Sequence, residues 1–155
     1  MKGKMHGGKR AVGRALLALA ALWLLMAAPA LAAGALIEAP REGDLLERVH
    51  KLWAQTLPMV EADLAAGRED AWYLERRRPL FTAWVMLQAM PEDKSGVPTQ
   101  TRDAIGRLIP RILELVDHVY GFPGYSQAKR EQNRANQGRA RFLIKDIEKK
   151  LAAIK

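Results

Sequence analysis

Apolar residues between positions 105 and 119 recur at intervals of three and four, which is the spacing of one face of an α-helix. They are Ile105, Leu108, Ile109, Ile112, Leu115, Val116 and Val119. The sequence contains no segment in which apolar and polar residues alternate as they do in β-strands. A helix with such a stripe buries it against other helices, so the sequence predicts an all-α fold.

Three more helices are predicted around this stripe. The segment 79–90 of the second is apolar nearly all round, so that helix packs on several neighbours or offers a face to a partner. Four helices joined by mostly short links predict an up-down-up-down four-helix bundle. The predicted helices run from about 44 to 66, from 69 to 90, from 101 to 120 and from 126 to near the end of the chain.

The N-terminus has the pattern of a bacterial export signal. A stretch with five Lys or Arg residues and no acid precedes an apolar run that ends in small residues, with Ala30-Leu31-Ala32 as a cleavage site. This predicts a periplasmic protein with a signal peptide over 1–32, a linker over 33–43 and a helical bundle domain over 44–155. The alternative is an uncleaved inner-membrane anchor, because the apolar stretch 15–37 reaches the roughly 20 residues of a spanning helix.

Charge and cysteine content restrict the chemistry of the exported chain. The full sequence has 25 basic and 17 acidic residues, and five of the basic ones fall within the predicted signal, which leaves +3 on the mature chain. Residues 126–155 hold nine basic and three acidic side chains, so the last helix is basic. The absence of cysteine excludes disulfides, covalent haem attachment, thiolate metal sites and cysteine nucleophiles.

The first half of the last predicted helix, residues 126–138, is basic and rich in amides but has no apolar stripe. With about 1.5 Å of rise per residue and alternating helix directions, this stretch lies beside residues 72–78 and 118–125. Arginine and aromatic side chains concentrate binding energy, so this end is predicted to bind a partner. The predicted binding residues are Trp72, Arg76, Arg77, Arg78, Tyr125, Arg130 and Arg134, with Tyr73, Tyr120, Phe122 and Lys129 nearby.

Two other interpretations of residues 126–138 stay open. The arginines are solvated or paired with acids of the second helix, Glu69, Asp70 and Glu75. Alternatively the stretch is disordered until a partner binds, because Gly138 and the asparagines are poor helix formers. The binding hypothesis expects that substitution of Arg130 and Arg134 leaves stability nearly unchanged.

The sequence shows no catalytic constellation, since it contains no paired catalytic carboxylates, no His-x-x-x-His pair and no nucleophile beside a base. We therefore expect a non-enzymatic binding or accessory protein without a cofactor. Its expected partner is anionic: an acidic protein, or an anionic headgroup or other cell-envelope component, with peripheral membrane contact included. Because the protein is expected to be exported, nucleic acid is not expected as its partner. Oligomeric state has no signal in the sequence.

A small haem- or metal-binding bundle is the alternative function, carrying electrons or a metal in the periplasm. His50 and Met86 both fall at about 9 Å along the predicted bundle and provide ligands suited to haem b or copper, with Met90 one turn further on. His118 lies at a height of about 26 Å along the predicted bundle, so it does not share a site with His50 and is expected at the surface.

Overall fold

The computed structural model describes residues 37–89 and 97–154. These residues form five helices and no β-strand, so the all-α prediction is confirmed. The predicted signal peptide, Met90 and the link over 91–96 lie outside the described residues. The helices are α1 (Leu45–Ala65), α2 (Asp70–Ala89), α3 (Thr99–Tyr120), α4 (Gln127–Ala135) and α5 (Gln137–Ala153).

Capping side chains and glycines set the ends of α1 and α3. Asp44 precedes α1, and its carboxylate accepts a hydrogen bond from the Glu47 backbone N–H at 2.8 Å. Gly67 follows α1 at φ +57°, a conformation that residues with a Cβ rarely adopt. Gly121 ends α3 at φ +88°, where a Cβ would also collide with the Arg130 side chain. The chain can therefore turn sharply from α3 towards α4.

The predicted fourth helix is two helices, which corrects the single helix expected from residue 126 to near the end. Asn136 breaks it with φ −82° and ψ 66°. Its backbone N–H donates to the carbonyls of Gln132 and Asn133 at the end of α4, and its side chain accepts from the Arg139 N–H at 3.1 Å at the start of α5. One asparagine thus caps both helices, because its short polar side chain competes with the helical backbone.

The core is built around α3, which contacts each of the other four helices. All seven residues of the predicted stripe are buried. Trp84 of α2 is also fully buried, and its indole N–H donates to the Thr56 hydroxyl at 3.1 Å, while that hydroxyl donates to the Leu52 carbonyl. Buried polar groups inside this core are therefore satisfied by local partners.

Side-chain contacts bring several helix ends together. The start of α2 meets the end of α1, because the Tyr73 hydroxyl donates to the Asp63 carbonyl at 3.1 Å. The end of α3 meets the junction of α4 and α5, where the His118 imidazole hydrogen-bonds the Asn136 carbonyl at 3.0 Å. We call this region the arginine end. It comprises the last turn of α1, residues 70–78 of α2, the end of α3, the loop 121–126 and α4.

None of the helices within residues 37–89 and 97–154 is both long and apolar enough to cross a membrane.

Candidate functional site

The predicted binding residues lie at the arginine end, but four of the arginines there contact carboxylates. Arg76 pairs with Asp63, and Arg77 pairs with Asp117. Arg130 and Arg134 both pair with Asp70. The exposed members of the predicted set are Arg78 and Tyr125, and Trp72 is half-buried.

Asp70, the first residue of α2, holds α4 against α2. Arg130 approaches its carboxylate with Nη2 at 2.7 Å and Nε at 3.0 Å, and Arg134 approaches with Nη2 at 2.8 Å. The three side chains are 15%, 12% and 14% exposed. The hydrogen bond from Arg130 lowers the pKa of Asp70, and Arg134 adds to this effect against the opposing influence of burial. This cluster gives the two arginines a structural role.

Asp70→Asn is expected to lower the free energy of unfolding at neutral pH by about 1 kcal/mol, the upper end for ion pairs that keep contact with water. A carboxyl with a lowered pKa stabilises the fold above its ordinary value of 3.8 and loses that contribution as the pH falls through the folded-state pKa. The difference in the free energy of unfolding between wild type and Asp70→Asn should therefore be constant above about pH 5 and shrink below about pH 4. Urea unfolding across this range measures it, and a pH-independent difference would contradict the ion-pair account.

Asp63 organises a second, deeper cluster. Its side chain accepts from the Tyr120 hydroxyl at 2.7 Å and from Arg76 Nε at 3.2 Å, and the residue is 6% exposed. Burial, followed by the hydrogen bond to the Asp63 carboxylate, raises the pKa of Tyr120, so this phenol remains a donor across the ordinary pH range. Tyr73 lies beside Tyr120, with ring centroids 6.3 Å apart. The cluster is a satisfied polar core at the arginine end.

The sequence prediction did not include Asp63, although a signal was present. Thr56, Val60 and Asp63 follow each other at helical spacing on the buried face of α1. An acid at such a position needs a buried partner. The sequence predicted neither that role nor the partners Tyr120 and Arg76.

Arg77 joins the polar clusters to the exposed aromatic residues. Its guanidinium contacts the Asp117 carboxylate at 2.6 Å and lies 4.0 Å from the Phe81 ring centroid and 5.7 Å from that of Phe122. Phe122 and Tyr125 form an edge-to-face pair with centroids 5.3 Å apart, and they are 44% and 42% exposed. The aromatic pair is therefore the apolar surface that this end presents to solvent.

A shallow cleft of about 500 Å³ lies between the start of α2 and α4. Its walls carry two cations and three carboxylates, so it does not suit an anion by charge. Arg134 Nη1 is buried there with no hydrogen-bond partner among the described residues, and its guanidinium lies 4.6 Å from the Tyr73 ring centroid. The lining residues are Arg68, Glu69, Asp70, Ala71, Gln127, Glu131 and Arg134.

The predicted haem or copper ligands do not face the core. His50 is exposed on α1, and Met86 is 54% exposed on α2. A cofactor inside a bundle needs ligands that point inward, so these two side chains do not form such a site. The described part of the chain also contains no group of three or more His, Asp or Glu residues placed to hold a metal ion. His118 is half-buried, and burial lowers its pKa.

A basic surface with unpaired cations lies on α5. We call Arg141, Phe142, Lys145 and Lys149 the outer face of α5, because these four exposed residues point away from the buried side of the helix. Phe142 is 57% exposed. The three cations form no ion pair within residues 37–89 and 97–154, whereas neighbouring Arg139 and Lys150 contact Glu114 and Asp146.

Comparison with protein-family models, with curated proteins and with solved structures finds no match. The residues of this chain therefore carry the functional proposal by themselves.

Proposed function

We propose that the protein is an exported, non-enzymatic helical binding protein that contacts an anionic partner in the cell envelope. The single observation that carries the proposal is the outer face of α5, where an exposed phenylalanine lies beside three exposed cations that form no ion pair within the described part of the chain. Solvated cations attract an anionic partner over about a Debye length, which is close to 8 Å at physiological salt.

The charge balance favours this face over the arginine end. At the arginine end four arginines contact three carboxylates, so their charges nearly cancel. The helix α5 contains five Lys or Arg residues and two acids. Anion contact is therefore assigned to α5. The helices are held together at the arginine end by four paired arginines, Arg76, Arg77, Arg130 and Arg134.

The proposal includes the up-down-up-down four-helix bundle, in which α4 and α5 together take the place of the fourth helix and meet at Asn136. Antiparallel contacts support it: Glu114 of α3 meets Arg139 of α5, and Arg111 lies nearer the start of α3 and meets Asp146 further along α5.

The proposal that the protein is exported is based on residues 1–32, where a charged stretch is followed by an apolar run and then by small residues. Sequencing of the mature N-terminus tests it: a start near Ala33 is expected, and intact precursor in the carbonate-washed inner membrane would refute cleavage.

The test of anion contact compares two variants with the same loss of charge. Lys145→Gln with Lys149→Gln removes two cations from the outer face of α5, and Arg78→Gln with Lys129→Gln removes two exposed cations from the arginine end. On immobilised poly-L-glutamate, the α5 variant is expected to elute at clearly lower salt than wild type, because fewer charges contact the polymer. The control should elute close to wild type.

Equal shifts for both variants would mean that net charge alone governs retention, and the assignment to α5 would fail. A larger shift for the Arg78 and Lys129 variant would return the binding site to the arginine end.

A further inference from the structure

The outer face of α5 is convex and belongs to one helix. Apart from Phe142, the large apolar residues of α5, among them Leu143, Ile147 and Leu151, are buried, so only the solvent side of the helix is available to a partner. A stable protein–protein contact buries roughly 800 Å² per partner, and its core is depleted in lysine. Two of the four residues on this face are lysines and all four belong to one helix, so the face matches such an interface poorly.

We propose that the outer face of α5 docks on an anionic phospholipid surface. This inference rests on the proposed function and names its partner. Phe142 enters the headgroup layer, and Arg141, Lys145 and Lys149 contact lipid phosphates. Lysine and arginine are attracted to an anionic membrane surface, and an aromatic side chain adds apolar burial at the headgroup boundary.

The spacing of the cations matches this mode of contact. Arg141, Lys145 and Lys149 follow at intervals of four, so they extend over about 12 Å on one side of the helix. Phe142 lies within the same turn as Arg141 and Lys145, and the Arg139 guanidinium lies 5.4 Å from its ring centroid. All three cations can therefore reach headgroups while the ring is inserted.

The predicted attachment is weak and reversible. One aromatic ring gives little apolar burial, so binding needs the ring and the cations together. Each cation near an anionic membrane contributes about a fivefold increase in binding. Raised salt should therefore release the face from vesicles.

The chain contains no cysteine, so a single introduced cysteine can report on each surface. In the full chain, Phe142→Cys and the matched control Phe122→Cys are each labelled with an environment-sensitive fluorophore, whose aromatic group takes the place of the phenylalanine ring at both positions. Both positions hold exposed phenylalanines, one on α5 and one at the arginine end. With phosphatidylcholine vesicles containing about one third phosphatidylglycerol, the label at 142 is expected to shift to the blue while the label at 122 stays unchanged. Vesicles of phosphatidylcholine alone should give no shift at 142.

Lys145→Gln with Lys149→Gln in the 142-labelled chain should weaken the response to phosphatidylglycerol vesicles by tenfold or more. An equal response at positions 122 and 142 would overturn the proposal, because it would show non-specific adsorption. No response at 142, in a chain that still binds poly-L-glutamate through α5, would refute the membrane partner and leave the proposed function standing, with an acidic protein as its partner. Loss of both responses would refute both.

Discussion

Asp63→Asn is expected to lower the free energy of unfolding by about 3 kcal/mol, because it leaves the Arg76 charge in a mostly buried site without a carboxylate. The Asp63 and Arg76 side chains are 9% and 16% exposed, so water compensates little of this loss. The same substitution weakens the hydrogen bond from the buried Tyr120 hydroxyl, which donates to Asp63 at 2.7 Å. Urea unfolding at neutral pH measures the effect.

Two further variants separate the parts of this cluster. Tyr120→Phe removes one donor and should cost about 1 kcal/mol. Glu61→Gln changes an exposed acid of the same helix and should stay within about 0.5 kcal/mol of wild type. If Asp63→Asn were as stable as Glu61→Gln, the cluster would contribute nothing to the fold, and the structural role assigned to the arginine end would be wrong.

Ile112→Ala is expected to destabilise the protein by about 2 to 5 kcal/mol, because it opens a cavity in the centre of the core. Ile112 is fully buried on α3, the helix that contacts all the others. The partly buried neighbour Leu113 provides the matched control, and Leu113→Ala should cost less. Equal losses at 112 and 113 would show that the stripe does not define the buried side of α3. Thermal or urea unfolding decides between these outcomes.

Much of the fold was accessible from the sequence because apolar periodicity reports directly on burial. All seven residues of the α3 stripe are buried, while Thr101 and Tyr120 of the same helix are buried without belonging to the stripe. The nearly continuous apolar character of segment 79–90 was less informative. Leu80, Trp84 and Leu87 are buried, whereas Val85 and Met86 remain exposed. A helix that is apolar all round does not reveal which side its neighbours cover.

The candidate site was harder to predict, because it depends on pairing between distant residues. The helical rise per residue predicts that Arg130 lies near the start of α2, where Asp70 is one of three acids that could pair with it. The sequence left open whether the arginines were paired or free, since ion pairs between side chains 60 positions apart have no periodic signal. The break at Asn136 depends on one side chain that caps two helices.

Anion contact is proposed for the outer face of α5, whereas the paired arginines of the arginine end stabilise the fold. A titration of the isotope-labelled protein with poly-L-glutamate, followed by backbone amide chemical shifts, tests this most directly. We expect the largest chemical-shift changes on residues 138–152, and we expect them to fade as salt is raised, while residues 68–78 and 121–134 change little. The largest changes at 68–78 and 121–134, with α5 unaffected, would contradict it.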